Sequence, residues 1–123
     1  MEKFNITEFL KMKNPDPSKE YRKEVLTDPQ TAKIIGGVFV ILRPGDKMPY
    51  HYHKTRESVI IALSGEATEI VEGKEYALKA NDILAIPAQE KHGTFNRSQK
   101  EFRYVEFFTR VPGVIDRIDA KLE

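Results

Sequence analysis

From Ile34 onward, turn-forming residues cut every apolar run of this chain before a long helix can form. Short stretches of Val, Ile and Phe end at Arg43-Pro44-Gly45-Asp46, at Ser64-Gly65, at Glu72-Gly73-Lys74, at Ala80-Asn81-Asp82 and across residues 87–91. Gly, Asn and Asp supply turn conformations and β-branched residues favour strands. The punctuation therefore predicts many short strands closed into an all-β sandwich or barrel. With 123 residues there is chain for one hydrophobic core and hence for a single domain, 1–123. Residues 34–110 form its barrel.

The flanks read differently. Residues 1–33 are an N-terminal extension carrying the first strand: Phe9, Leu10 and Met12 allow one helical turn before the breaker Asn14-Pro15-Asp16-Pro17. Tyr21 to Leu26 then form a strand closed by the turn at residues 27–30. In residues 111–123, Ile115, Ile118 and Leu122 recur at helical spacing after Val111-Pro112-Gly113 and predict a short C-terminal helix. Within the barrel, Gly36-Gly37 marks a bulge or a close approach, since glycine otherwise weakens a strand. The run Phe102 to Thr109 places Phe102, Tyr104, Glu106 and Phe108 on one face and Arg103, Val105, Phe107 and Thr109 on the other. Both faces are bulky, so something must cover the outer one. Glu106 on an interior face needs a partner.

Charge and composition exclude several function classes. The 20 Lys and Arg balance 19 Asp and Glu and are mixed along the chain, so no basic patch is dictated for a nucleic-acid partner. The absence of cysteine removes disulfides, iron-sulfur clusters, thiolate zinc sites and cysteine nucleophiles, leaving His and carboxylate to hold any metal. The apolar tracts are far shorter than the ~20 residues that span a bilayer, and the first residues are too charged for a secretory signal. A cytoplasmic location and no membrane partner are the expectation. Gly-x-Ser-x-Gly, Walker and Gly-x-Gly-x-x-Gly patterns are missing, which disfavours hydrolase triads and nucleotide chemistry.

The 3 histidines carry the most information. His51 and His53 stand two apart, and residues i and i+2 of a strand share a face, so both imidazoles can reach one ion. His92 follows a later turn. Neutral imidazoles suit first-row divalent metals, and three of them leave positions open for water or substrate. Tyr50 and Tyr52 take the opposite face, as packing or interface residues. Asn96 has the parity of His92 and serves either the cavity or a turn.

The stretch from Gly45 through His51, His53 and Glu57 to Gly65 resembles the first motif of the cupins: Gly, five residues, His-x-His, three or four residues, Glu, six residues, Gly. The stretch Asn81 to Asn96 resembles the second, with Pro87, His92 and Asn96 in register. The resemblance implies a small single-domain cupin: an antiparallel double-stranded β-helix, or jelly-roll barrel, with short terminal helical segments. It implies a divalent metal (Fe, Mn, Ni or Zn) inside the barrel, on His51, His53 and His92. The motif's carboxylate is offset by one residue: counting back from Gly65 reaches Ser58, while counting on from His53 reaches Glu57. Strand alternation aims Glu57 away unless a bulge re-phases it, so two ligand sets stand open, three His with Glu57 or three His with Ser58 and water. Two motif glycines are replaced, by Asn81, which tolerates positive φ, and by Gln89, which tolerates it less; a reshaped loop and a displaced His92 are the expectation.

Cupins include dioxygenases, isomerases, decarboxylases and lyases. The resemblance thus implies a metal-dependent enzyme, of oxidoreductase or isomerase type, acting on a small organic molecule, with a non-catalytic binding or sensor module as the alternative. Catalysis would be marked by an acid or base beside the metal, with Glu57, Glu106 and Tyr104 as candidates. Small cupins commonly pair through barrel faces, and the apolar outer positions Val59, Ile61, Phe107, Tyr50 and Tyr52 point to a homodimer.

Overall fold

The computed structural model describes residues 1–24, 30–110 and 116–122. One helix, α1 (Ile6–Lys11), precedes ten strands: β1 (Tyr21–Glu24), β2 (Ile35–Leu42), β3 (Lys47–His53), β4 (Ser58–Ser64), β5 (Glu66–Val71), β6 (Lys74–Lys79), β7 (Ile83–Ile86), β8 (His92–Phe95), β9 (Phe102–Thr109) and β10 (Arg117–Asp119). They form two five-stranded sheets, ordered β1-β2-β9-β4-β7 and β10-β3-β8-β5-β6, antiparallel throughout. Consecutive strands change sheets repeatedly, which is the double-stranded β-helix, the all-β jelly roll anticipated above. No helix among the described residues is long and apolar enough to cross a membrane.

Side-chain alternation divides the apolar residues between two layers. Val38, Val40, Leu42, Ile60, Ile86, Phe102 and Tyr104 of the first sheet meet Ala67 and Leu78 of the second and fill the barrel. The opposite face of the first sheet carries Phe39, Ile41, Leu63 and Val105, onto which Phe9 docks. Phe9 stacks on Phe39 with ring centroids 4.6 Å apart. Strand β2 is consequently buried on both faces, which explains its unbroken Val/Ile/Phe/Leu run. The cover required by β9 is thus α1, whose Phe9 joins the cluster against which Ile61 and Phe107 are partly buried. Helix α1 begins at Asn5, whose side chain accepts from the Thr7 N–H, as an N-cap should. Val59 and Ile83 remain exposed on this sheet.

The C-terminal segment departs from its helical spacing. Residues 117–119 form a strand on the edge of β3, with Arg117 opposite His53, Ile118 opposite Tyr52 and Asp119 opposite His51; Val114 and Ile115 lie outside the described residues, as do residues 25–29. The edge of β3 offers unpaired backbone groups, and satisfying them outweighs the weak propensity of a short amphipathic stretch for helix. Gly36 marks a close approach and not a bulge. Its register against β9 is unbroken, and the Phe108 ring lies where a Cβ would stand.

Two loops fix the end of the barrel where β2 passes into β3 and β8 ends. In the turn between β2 and β3, Asp46 accepts from the Arg43 N–H and Nε, both at 2.7 Å, and from Nη2 at 2.8 Å. Asn96 is buried and structural: its Nδ2 donates to the Leu42 and Lys100 carbonyls, and its Oδ1 accepts from Ser98. The Arg43 hydrogen bonds hold the Asp46 carboxyl below the usual range. A depressed native pKa contributes stability above the unfolded-state value and loses it as pH falls through the native one. Asp46→Asn is expected to cost about 1–2 kcal/mol at neutral pH. The gap from the parent should narrow in denaturant titrations repeated at increasingly acidic pH; a gap independent of pH would contradict this.

Candidate metal centre

His51 and His53 leave β3 on the same side, and β8 pairs with β3 so that His92 lies directly opposite His51. The three side chains are buried, and one ring nitrogen from each lies within 4.8 Å of the others. Ring centroids are 4.9 Å apart for His51 and His53 and 4.5 Å for His51 and His92. The turn before β8 keeps the glycine-like geometry in spite of its sequence. Gln89 itself takes φ 71°, and its N–H donates to the His53 carbonyl at 2.7 Å. That bond offsets the cost of the left-handed conformation and keeps His92 in place. Asn81 adopts φ 77° in the same manner.

Every imidazole is oriented through its Nδ1. That atom lies 2.6 Å from the Pro49 carbonyl in His51, 3.0 Å from Asp116 Oδ1 in His53 and 3.1 Å from Glu69 Oε1 in His92. Each acceptor demands an Nδ1–H, which leaves the lone pair on Nε2. Burial pushes His51 down to about 4. Burial and the Arg56 charge also lower His53, against the opposing pull of Asp116. Neutral imidazole is the ligating form, so the donor set suits a divalent metal.

The carboxylates behind the histidines are built into the fold. Glu69 is fully enclosed and also accepts from the Thr94 hydroxyl at 2.6 Å. Burial raises its pKa, against the hydrogen bonds from His92 and Thr94. Burial would raise Asp116 too. The Thr55 N–H and hydroxyl, His53 and the Arg56 N–H outweigh it and hold this carboxyl far below the usual range. Neither residue stands out in the sequence. Glu69 shares its strand face with the core residue Ala67, which is the one signal that could have marked it.

Glu57 is not brought to the histidines. It is exposed, precedes β4, and lines a separate apolar groove with Val59, Ile86 and Phe107. Its backbone bonds to Thr109 on both sides, and no bulge re-phases it at Ser58. Ser58 points inward and is buried, but its hydroxyl accepts from Arg56 Nε at 3.3 Å. The side chains that the fold groups are therefore the three histidines, with Glu69 and Asp116 behind them and Glu57 elsewhere.

His51 and His53 open on a cavity of about 170 Å³, whose walls include Arg22, Glu24, Arg56, Tyr104, Glu106, Phe108 and Arg117. Glu106 is buried, and Arg56 Nη2 binds its Oε2 at 2.7 Å. The Arg56 guanidinium stacks on Phe108, 3.6 Å from the ring centroid. Tyr104 is 1% exposed and has no hydrogen-bond partner among the described residues. Every fully enclosed side-chain oxygen has a partner, so the Tyr104 hydroxyl must face the cavity. Burial raises its pKa, which keeps it a donor.

The model of the cupin domain family matches residues 38–108. The chain is a cupin. Among solved structures, this cupin resembles a conserved protein with a double-stranded β-helix domain from Klebsiella pneumoniae subsp. pneumoniae MGH 78578, with TM-score 0.77 and 24% identity over 98% of both chains. It also resembles the TT1209 protein from Thermus thermophilus, with TM-score 0.76 and 22% identity over 91% of this cupin and 100% of that chain. These likenesses show the fold. A 65-residue stretch is 31% identical to the polyketide synthase CurC of Streptomyces cyaneus, covering 53% of this cupin and 42% of that relative. The matched stretch is thus well under half of CurC.

A carboxylate that orients a ligating histidine is worth about 10- to 100-fold in metal affinity. Glu69→Gln is expected to weaken zinc or nickel binding by that factor in competition with a chromophoric chelator, while Glu57→Gln leaves it unchanged. The reverse ranking would restore Glu57 to the ligand set.

Proposed function

We propose that this cupin is a metal-dependent enzyme for a small organic molecule, with His51, His53 and His92 holding the ion through Nε2. The observation that carries the reading is the grouping of one ring nitrogen from each of three buried histidines within 4.8 Å, with every Nδ1 held by an oxygen partner. A bound divalent ion would supply Lewis-acid or redox chemistry. Two of the three candidate acid–base groups, Glu106 and Tyr104, line the cavity beside the histidines, which favours catalysis over a binding or sensor role.

The chain's own residues set the conditions for chemistry. Three neutral nitrogen ligands bring no negative charge of their own into contact with an ion, so an anionic or enolic oxygen would be stabilised beside it. The barrel core behind the histidines excludes water and strengthens such interactions. Glu106 bonds Arg56 through Oε2 and keeps Oε1 as an acceptor on the cavity wall. Tyr104 remains a proton donor on the same wall.

The double replacement of His51 and His53 by Ala is expected to abolish stoichiometric metal in elemental analysis of untagged protein. Turnover by the iron, manganese, nickel or zinc form, tested on sugar acids, diketones and catechols, should vanish with it. Full metal content in the double variant would refute the assignment. Metal-dependent ligand binding without turnover in every metal form would favour the sensor.

A further inference from the structure

We propose that the cavity beside the histidines takes a small carboxylate, bound by the Arg56 guanidinium and the Tyr104 hydroxyl; this deepens the metal-enzyme reading and rests on it for the second point of attachment. The first support is a donor without a recipient. Tyr104 is 1% exposed, its hydroxyl faces the cavity, and no described residue accepts its proton. A hydroxyl that reaches the cavity with no protein acceptor is free to donate to a ligand oxygen there.

The second support is charge. The cavity is lined by three arginines and two glutamates, and of the arginines Arg117 is paired with Asp119 beside the cavity. Its one deeply placed carboxylate, Glu106, is committed to Arg56. Arg56 uses Nε on Ser58 and Nη2 on Glu106, and Nη1 has no partner among the described residues. Its position is not accidental. The guanidinium lies flat on Phe108, and Phe108 has its place because Gly36 carries no side chain. A guanidinium fixed at one edge with N–H groups free at another is suited to a planar carboxylate.

The third support is size and polarity. A volume of about 170 Å³ lies below the usual range of ligand pockets and admits roughly six waters at ~30 Å³ each. The wall offers donors in excess of free acceptors. A cationic ligand would be repelled, and a neutral polyol would leave its own hydroxyl protons short of acceptors. A short 2-oxo or 2-hydroxy acid satisfies the wall with its carboxylate and presents its second oxygen toward the histidines.

The test is isothermal titration of the zinc-loaded and metal-free protein with pyruvate and glycolate, set against hydroxyacetone, a neutral molecule of like size. The acids should bind the zinc form at least tenfold more tightly than hydroxyacetone. Arg56→Gln should lose at least tenfold for the acids alone, and Tyr104→Phe several-fold. The wild-type comparison of acid with hydroxyacetone needs no variant and stands if Arg56→Gln fails to fold. Equal affinity for acid and neutral probe, or wild-type affinity in a folded Arg56→Gln, would overturn the proposal. Stoichiometric zinc on the histidines without acid binding would overturn it and leave the metal reading intact. Arg56-dependent acid binding by a protein that holds no metal would support the carboxylate site and refute the metal reading.

Discussion

Three Nδ1–H groups, each donated to a fixed acceptor, determine what this barrel can do. An imidazole free to rotate presents either nitrogen and serves as a mediocre ligand. Pro49, Asp116 and Glu69 remove that freedom, and one ring nitrogen of each histidine lies within 4.8 Å of the others. The acceptors come from three places in the chain: the backbone of β3, the residue before β10 and the middle of β5. They can meet only if the second sheet holds its order β10-β3-β8-β5-β6. The site is therefore a consequence of the fold's register and not of a local loop, and the β10 edge matters because Asp116 arrives with it.

The first sheet supplies the other wall. Its inward positions carry Tyr104, Glu106 and Phe108 in alternation along β9, with Arg56 folded over the last of them. One sheet thus holds neutral nitrogen donors for an ion, while the sheet facing it holds proton donors and an ion pair. Such a division favours a ligand with two oxygen functions, one for each wall. The layer outside the first sheet, where Phe9 of α1 packs with Phe39 and Val105, buries the middle of β9 on its outer face.

Much of this was legible in the residues, for identifiable reasons. Period-two alternation located β9 and its faces, turn residues bounded the strands, and the spacing of His51, His53 and His92 foretold a shared site. The offset between Glu57 and Ser58 was readable as an ambiguity, and parity resolves it because no bulge intervenes. The C-terminal strand was not legible, since its driving force is the open edge of β3, which no property of residues 117–119 reveals. Glu69 and Asp116 were hidden for a related reason. Their meaning lies in partners 23 and 63 residues away, and an isolated carboxylate in a strand or loop reads as surface. Gln89 shows the limit of propensity: one well-placed hydrogen bond to His53 held the turn that its side chain disfavours.

The most direct measurement is the tautomeric state of the three histidines, read from long-range proton–nitrogen correlations in the metal-free protein near neutral pH. Three neutral rings are expected, each protonated at Nδ1, whose Nε2 resonances alone move strongly when zinc is added. Rings protonated at Nε2, or zinc-induced shifts centred on Nδ1, would contradict this.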